Sequence, residues 1–528
     1  MWEDFIRLQH EMLIPILEPH VKGHRFFNPD EVAVRLDTAL KQAKTYEEKV
    51  DKLNIFKDRE IFLIDLDQIL NLKPGEKATR YFGNNLTLLA EFIIRAAVEI
   101  VYEHLVQRYG IPRTVGHLPT RFALFGLGKF GAEALGYASD IELLLVYRDS
   151  GSTDGEESLQ NTEFFEKFVR ELTHCIRSKR EGIMTIDLQL RPYGNDGPLA
   201  CSMESFCRYY GQGGPAHSYE RLALVRLRGV AGDKAFGEQI ERLRDEFIYS
   251  PRSIKVDEIR EIRAKQYAEK ANSINPNAKF SPGALVDLEY DIQILQVMYG
   301  KDIPELKTPF IGTALHVLAN FGILSEKEKD SLIGAYYFLR RLINGLRMLR
   351  GNAKDLFLPP LDSSEFIHLA RRIGYTREKD LEPEAQLYID FATRTASVRA
   401  FVERQFGRAS LPDHSICNVA DLILYTEVPH ELRVKILSNA GFKNTHRAFT
   451  NLKKLASYCN DQDHFASLAV LGFDFLKRKS DPDMALNNWE WFVSTLKDPE
   501  SHFSILLVQP KRLDILFSIL SCSQFIAD

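Results

Sequence analysis

Along the first hundred positions, apolar residues recur at three- and four-residue steps, the period of a helix with one buried face. The pattern predicts helices over 31–53 and 55–72, a turn at Lys73-Pro74-Gly75, and a helix over 84–109 stopped by Gly110 and Pro112. At Thr120 the character changes. Positions 122–125 form a short continuous apolar run that ends in Gly126-Leu127-Gly128, as a buried strand entering a tight turn does. A short helix over 129–135 is expected next, then a strand over 140–147 (DIELLLVY) and a helix over 160–179. Alternation over 184–190 predicts a third strand. It sends Met184, Ile186, Leu188 and Leu190 to one face and Thr185, Asp187, Gln189 and Arg191 to the other. Beyond about Asp257 the helical period returns, over 284–299, over 326–349 as one helix or a pair, and in short helices from Ser415 onward. The expected fold is α+β and predominantly helical, with a small sheet module embedded between helical domains. Its expected segments are 1–112, 113–252, 253–410 and 411–528.

Composition narrows the class. The chain has 528 residues, 45% hydrophobic and 27% charged, within the range of folded globular proteins. With 68 Lys and Arg against 73 Asp and Glu, the net charge of −5 argues against nucleic acid as a partner, because phosphate chains demand clustered positive charge. The six cysteines show no CxxC spacing, which fits a reducing compartment. The opening MWEDFIRLQHEM lacks the basic start and apolar core of a secretory signal. The most apolar long run, 86–106, carries Glu91, Arg95 and Glu99 at four-residue spacing, a charged stripe too costly for a bilayer. A cytoplasmic protein without membrane contact is expected.

Candidate chemistry sits in the sheet module. Asp140 and Glu142 are two apart on a predicted strand and so share a face; Asp187 lies on the polar face of another. If those strands pair, three carboxylates converge, an arrangement that two Mg²⁺ ions held by hard oxygen ligands would relieve. Upstream, Gly126, Gly128, Lys129 and Gly131 leave a strand and enter a helix, where glycines let backbone approach a phosphate and free N–H groups face it. Phosphate beside metal-binding acids points to phosphoryl or nucleotidyl transfer by in-line displacement. The order of glycine turn, acid-x-acid strand and third acidic strand resembles polymerase-β-like nucleotidyltransferases.

The longer motifs are more specific. GLGKFGAEALGYASDIELLLVY resembles the signature of the glutamine synthetase adenylyltransferase family. IDLQLRPYGNDGPLACSMESFCRYY, SYERLALVRLRGVAGD and GALVDLEYDIQILQVMYG are similar to later motifs of that family, in order, and the likeness runs from about residue 55 to the end. That family carries two such modules in tandem. One transfers AMP from ATP to a tyrosine of glutamine synthetase; the other removes it by phosphorolysis, releasing ADP. The RPYGNDGPL loop looks more like the removing half. The tail, from Ser480-Asp481-Pro482-Asp483 to Gln524–Asp528, resembles the connector into the second half, so the chain is expected to be one half of a longer enzyme.

The resemblance implies that Asp140, Glu142 and Asp187 bind metal. Gly126, Gly128, Lys129, Gly131 and Ser139 match the nucleotide-binding turn. Arg191 matches the arginine of the LRP motif, where it would contact phosphate or form a structural salt bridge to Asp187 or another acid. Lys279, Asp287 and Glu289 fall on the matching positions of a helical domain that would line the cleft. Asp287 and Glu289, two apart on a helix, point about 200° apart, so one is expected to function and the other to be solvated. Three departures stand out: Glu142 where the family has Asp, Ala132 where it has Gly, and Ser281-Pro282-Gly283-Ala284 in place of a glycine-rich stretch. The implied substrates and products are ATP, ADP and phosphate; the implied partners are glutamine synthetase and a PII-type signal protein.

Two other functions stay open. One is a regulatory module that binds nucleotide or a PII-type protein without turnover. The other is a nucleotidyltransferase with another acceptor, such as the uridylyltransferase of PII. The remaining conspicuous residues read as structural: Glu220-Arg221 in an ion-pair network, His117, His217 and His414 as isolated histidines, and Trp489 and Trp491 as helix packing.

Overall fold

The computed structural model describes residues 27–71, 75–178, 184–249, 253–271, 275–351, 354–406 and 417–522. The opening twelve residues, the Lys73-Pro74 turn, His414 and the tail from Gln524 lie outside the described residues. The architecture is predominantly helical with a small mixed sheet, as the periodicity predicts. The chain divides into two compact units, Met1–Cys207 with Arg228–Glu241, and Arg208–Leu227 with Arg242–Asp528.

The first unit opens with α1 (Pro29–Lys41), α2 (Tyr46–Leu66) and α3 (Glu76–Tyr109). The helical stretch predicted to break at 53–55 breaks at 42–45 instead. Thr45 Oγ1 accepts the Glu48 N–H at 3.2 Å, and Glu48 Oε2 accepts the Lys44 N–H at 2.7 Å, so a capping pair starts a new helix there. In α3, the charges that exclude a bilayer find partners. Glu91 bonds Arg95 at 3.0 Å and Arg228 at 2.7 Å. Among the described residues no helix is long and apolar enough to cross a membrane.

The sheet follows. A small antiparallel pair joins β1 (Pro112–Thr114) to β4 (Gly151–Thr153). The main sheet is built on β2 (Phe122–Gly126) and β3 (Ile141–Tyr147), antiparallel with Gly126 opposite Leu143. β7 (Arg228–Gly232) lies on the far side of β2, also antiparallel, with a register shift between Leu124 and Phe125. On its other edge, β3 is flanked in parallel by two short strands in succession, β5 (Ile186–Asp187) and β6 (Ala200–Ser202). The third predicted strand is thus real but ends at Asp187, three residues early. There Asp187 Oδ1 accepts the Gln189 N–H at 2.8 Å, and this local bond turns the chain off the ladder.

Between β2 and β3 lies α4 (Gly128–Gly131), one turn long where a longer helix was predicted, and α5 (Asn161–Cys175) covers the sheet. One core joins α1–α3, the sheet and α5. Aromatic contacts knit it: Phe122 meets Tyr102, Phe165 and Phe168, each at 5.4 Å between ring centroids. Such pairs add to simple area burial.

The second unit is helical. α6 (Val256–Lys270), α7 (Leu285–Tyr299), the single unbroken α8 (Glu326–Arg350) and α9 (Pro383–Phe406) precede shorter helices from Val419–Leu424 to Pro510–Leu520. Trp489 packs against Phe517 at 5.1 Å, as expected of a core residue, whereas Trp491 is exposed. The six cysteines are free thiols.

Candidate active site

β3 and β5 bring two of the candidate acids together. In their parallel register Glu142 is the partner of Asp187, and Ile141 of Ile186, so the two carboxylates leave the same face of neighbouring strands. The Ile141 N–H bonds the Thr185 carbonyl at 2.8 Å and closes the ladder's first rung. Asp140 immediately precedes β3 and is exposed. Ser139, by contrast, is buried; its Oγ accepts the Gly136 N–H at 3.0 Å and fixes the turn that delivers Asp140.

The glycine turn packs against the second acid. Gly128 has φ +50°, and a Cβ placed there would lie 2.0 Å from Glu142 Oε2. The same oxygen accepts the Lys129 N–H at 3.1 Å. At Gly126 a Cβ would lie 2.6 Å from the Phe130 ring. Both glycines are thus required by the protein's own packing. Lys129 is half-buried in α4, and Gly131 is buried, its carbonyl taken by Arg228 Nε at 3.1 Å. Ala132, the departure from the family pattern, is buried as well.

Arg191 corrects one of its two expected roles. Its guanidinium donates to the carbonyls of Leu188 (2.7 Å), Gly197 (3.2 Å) and Asn195 (3.3 Å), not to Asp187. No carboxylate pairs with it among the described residues. The cation gathers the loop after β5 by its carbonyls, leaving Tyr193 half-exposed at φ +64°. Backbone strain concentrates here. Of six non-glycine residues with positive φ among the described residues, four (Glu133, Ala138, Met184 and Tyr193) flank the acid-bearing segments.

Residues 4–243 match the family model described as Glutamate-ammonia ligase adenylyltransferase. A bifunctional glutamine synthetase adenylyltransferase/adenylyl-removing enzyme of Thioalkalivibrio sulfidiphilus is 27% identical over 94% of this chain and 52% of its own length. The chain is similar to the glutamine synthetase adenylyltransferases. An adenylyltransferase/adenylyl-removing enzyme of the same description from Stenotrophomonas maltophilia is 28% identical over 84% of the chain and 47% of its own length. One from Streptomyces coelicolor is 33% identical over 49% and 26%. The chain spans about half the length of the curated relatives it matches over most of its length. The adenylyltransferase family is one of nucleotidyltransferase enzymes.

A second match lies in the helical unit, where residues 255–406 fit the model described as GlnD PII-uridylyltransferase. That match lies outside the acidic motif. Lys279, Asp287 and Glu289 belong to this stretch. Lys279 Nζ lies 4.9 Å from the Phe280 ring centroid. Asp287 is buried, 2.5 Å from Arg263 Nε, and its Oδ2 accepts the Gly283 N–H at 2.6 Å. Glu289 is not solvated. It is 12% exposed and stands 3.2 Å from Arg226, so both acids of the pair are engaged. Gly283 also explains the altered loop: at φ +77°, a Cβ would lie 2.1 Å from the Thr395 carbonyl.

One reading of polar residues changes. Glu220 accepts from Tyr209 Oη and the His217 N–H, both at 2.8 Å, while Arg221 holds the carbonyls of Tyr210, Gly211 and Gly214. They are two separate braces rather than one ion-pair network. His117 is exposed at φ +60°, and His217 stacks on Tyr219. Arg228 was missed in the sequence. It links Glu91 of α3 to the carbonyls of Phe130 and Gly131 at the end of the glycine turn. An arginine within a run of aliphatic residues (LVRLRGV) was the available signal.

The donor set has the chemistry of a divalent-cation site, hard carboxylate oxygens on adjacent strands. It is not preformed. Among the described residues no group of three His, Cys, Asp or Glu side chains is disposed to hold a metal ion, and Glu142 spends Oε2 on the Lys129 amide. Asp140, Glu142 and Asp187 would hold a cation once Glu142 exchanges that amide for the ion.

Proposed function

We propose that this chain is a Mg²⁺-dependent nucleotidyltransferase acting on the AMP–tyrosine linkage of glutamine synthetase, working in the direction of removal. The observation that carries the reading is the in-register pairing of Glu142 with Asp187 beside the glycine turn. The family match over 4–243 supports it. In removal, a phosphate oxygen forms a bond to the α-phosphorus while the bond from that phosphorus to the tyrosine oxygen breaks. ADP and free tyrosine result. Mg²⁺, when bound, would supply charge neutralisation at the phosphoryl oxygens and the departing phenolate. Asp140, Glu142 and Asp187 would hold that ion. The 126–131 turn and Ser139 orient the nucleotide, and Arg191 shapes the loop beside it. In the adding direction Asp187 would take the tyrosine proton, because a phenol of pKa about 10 is a poor nucleophile at neutral pH.

The reading extends to a cytoplasmic setting, to the four-segment division at 112, 252 and 410, and to Lys279, Asp287 and Glu289 as contributions of the helical segment. Resemblance of the RPYGNDGPL loop favours removal. The test is an assay of purified chain with Mg²⁺, phosphate and AMP-modified glutamine synthetase, in which ADP is released. AMP incorporation from ATP without ADP release would reverse the direction.

A second reading, a PII- or nucleotide-binding module without turnover, draws support from the engagement of Glu142 by the Lys129 amide and from the match of 255–406 to the uridylyltransferase model. Asp140→Asn separates the two: an enzyme loses activity, and a binding module has none to lose.

A further inference from the structure

A slot of about 40 Å³ opens in the first unit beneath the segment that leads into Asp140. Ile61 and Asp65 of α2, Leu86 of α3, Ala138, Ser139 and Met184 line it; none of the three candidate acids does. Asp65 is 6% exposed, and its Oδ2 has no hydrogen-bond partner among the described residues. A buried, unpartnered carboxyl is costly when charged and tolerable when neutral. Burial alone pushes this carboxyl up to about 7, with no charge contributing.

The surroundings explain that isolation. On α2, Asp58 faces Lys57 and Glu60 pairs with Arg35; just past its end, Asp67 accepts the Phe27 N–H. From the 135–139 segment the titratable group at the slot is Tyr137; α3 contributes Leu86 and the β5 approach contributes Met184. The other two facts concern strain. Ala138 lies two residues before Asp140, Met184 lies three before Asp187, and both have φ +52°. One slot therefore touches a strained residue in each of the two segments that carry the acids.

We propose that Asp65 is a positioning residue that makes the candidate site proton-sensitive: neutral, it lets the slot stay dry beneath Ala138 and Met184; ionised, it draws in water and loosens both segments. This uses about three water-sized volumes of space, enough for a small hydrated cluster. The activity part of the inference rests on the nucleotidyltransferase reading; the structural part does not.

The test is hydrogen exchange of peptides covering 135–140 and 184–188 between pH 6 and pH 8, corrected for intrinsic rates, in the full chain and in Asp65→Asn. The native chain should lose roughly tenfold in protection across that interval while Asp65→Asn stays flat. ADP release should fall on the alkaline side in the native chain, and Asp65→Asn should remove that fall. Identical pH dependence of exchange in the two proteins overturns the proposal. So does a carbon-13 carboxyl titration of native Asp65 with a midpoint below pH 5, which needs no variant to fold. Expected exchange without ADP release at any pH would instead overturn the nucleotidyltransferase reading and leave the proton-linked loosening standing.

Discussion

Glu142 and Asp187 are register partners in a parallel β-ladder, one from a seven-residue strand and one from a two-residue strand. So short a strand holds its acid by two paired positions and a local turn. Placement of Asp187 thus depends on the loop behind it as much as on the sheet.

Asp187→Asn keeps the Oδ1 acceptor for the Gln189 N–H and removes the charge. ADP release should drop by at least about 100-fold with little change in thermal unfolding, since a carboxylate that would hold the cation loses its charge and a turn is kept. Chelation of Mg²⁺ should have the same effect on the native chain and be reversed by adding the ion back. Full activity of Asp187→Asn would remove this residue from the site.

Gly128→Ala and Gly194→Ala should differ although both glycines have positive φ, +50° and +56°. At Gly194 the nearest atom to an added Cβ is 3.9 Å away, so the cost is the left-handed backbone alone, about 1 kcal/mol. At Gly128 the methyl meets the Glu142 carboxylate, which must leave the Lys129 amide, and about 2–4 kcal/mol is expected. Urea midpoints of the two variants would settle the order.

Arg191→Ala and Arg191→Lys should both open the loop to limited proteolysis within 188–199. A lysine offers a point charge where the guanidinium's fork reaches three carbonyls at once. Protection of the loop in the lysine variant would count against this role.

Two buried acids should respond oppositely to amidation. Asp65 has no cation partner among the described residues, and its carboxyl is raised by burial to about 7. The native state therefore binds more protons than the unfolded chain between about pH 4 and pH 7, and stability falls as pH rises through that window. Asp65→Asn should abolish the fall and stabilise the protein at pH 8, by at most about 4 kcal/mol. Asp291 is also raised chiefly by burial, but Arg260 stands 2.5 Å away, largely buried beside the Phe406 ring. Asp291→Asn leaves that guanidinium buried without its anion and should cost about 3–5 kcal/mol at pH 8. Thermal unfolding of both variants at pH 5 and pH 8 checks the pair.

Much of this was legible in the sequence. The apolar run at 122–125, the DIELLLVY strand and the position of Asp187 came from periodicity alone, because a strand's alternation fixes which side chains share a face. The end of β5 did not, since one side-chain bond to Gln189 overrides an alternation that continues to Arg191. Partners of Arg191 and Glu289 were equally hidden: backbone carbonyls and a distant arginine leave no trace in spacing. The glycines of the turn were read for phosphate, and their close neighbours proved to be Glu142 and Phe130. Asp65 left a signal that went unused, a lone acid four residues after Ile61 on an apolar helical face.

The edge of β3 is shared by two guests. One chain segment pairs at Ile141–Glu142, departs, and the same chain rejoins at Leu145–Tyr147 after residues 188–199 have looped away. Such an excursion can lengthen, shorten or change its chemistry while both attachment points keep their places. Enzymes descended from one ancestor could therefore redraw what this rim greets without disturbing the acids beneath it.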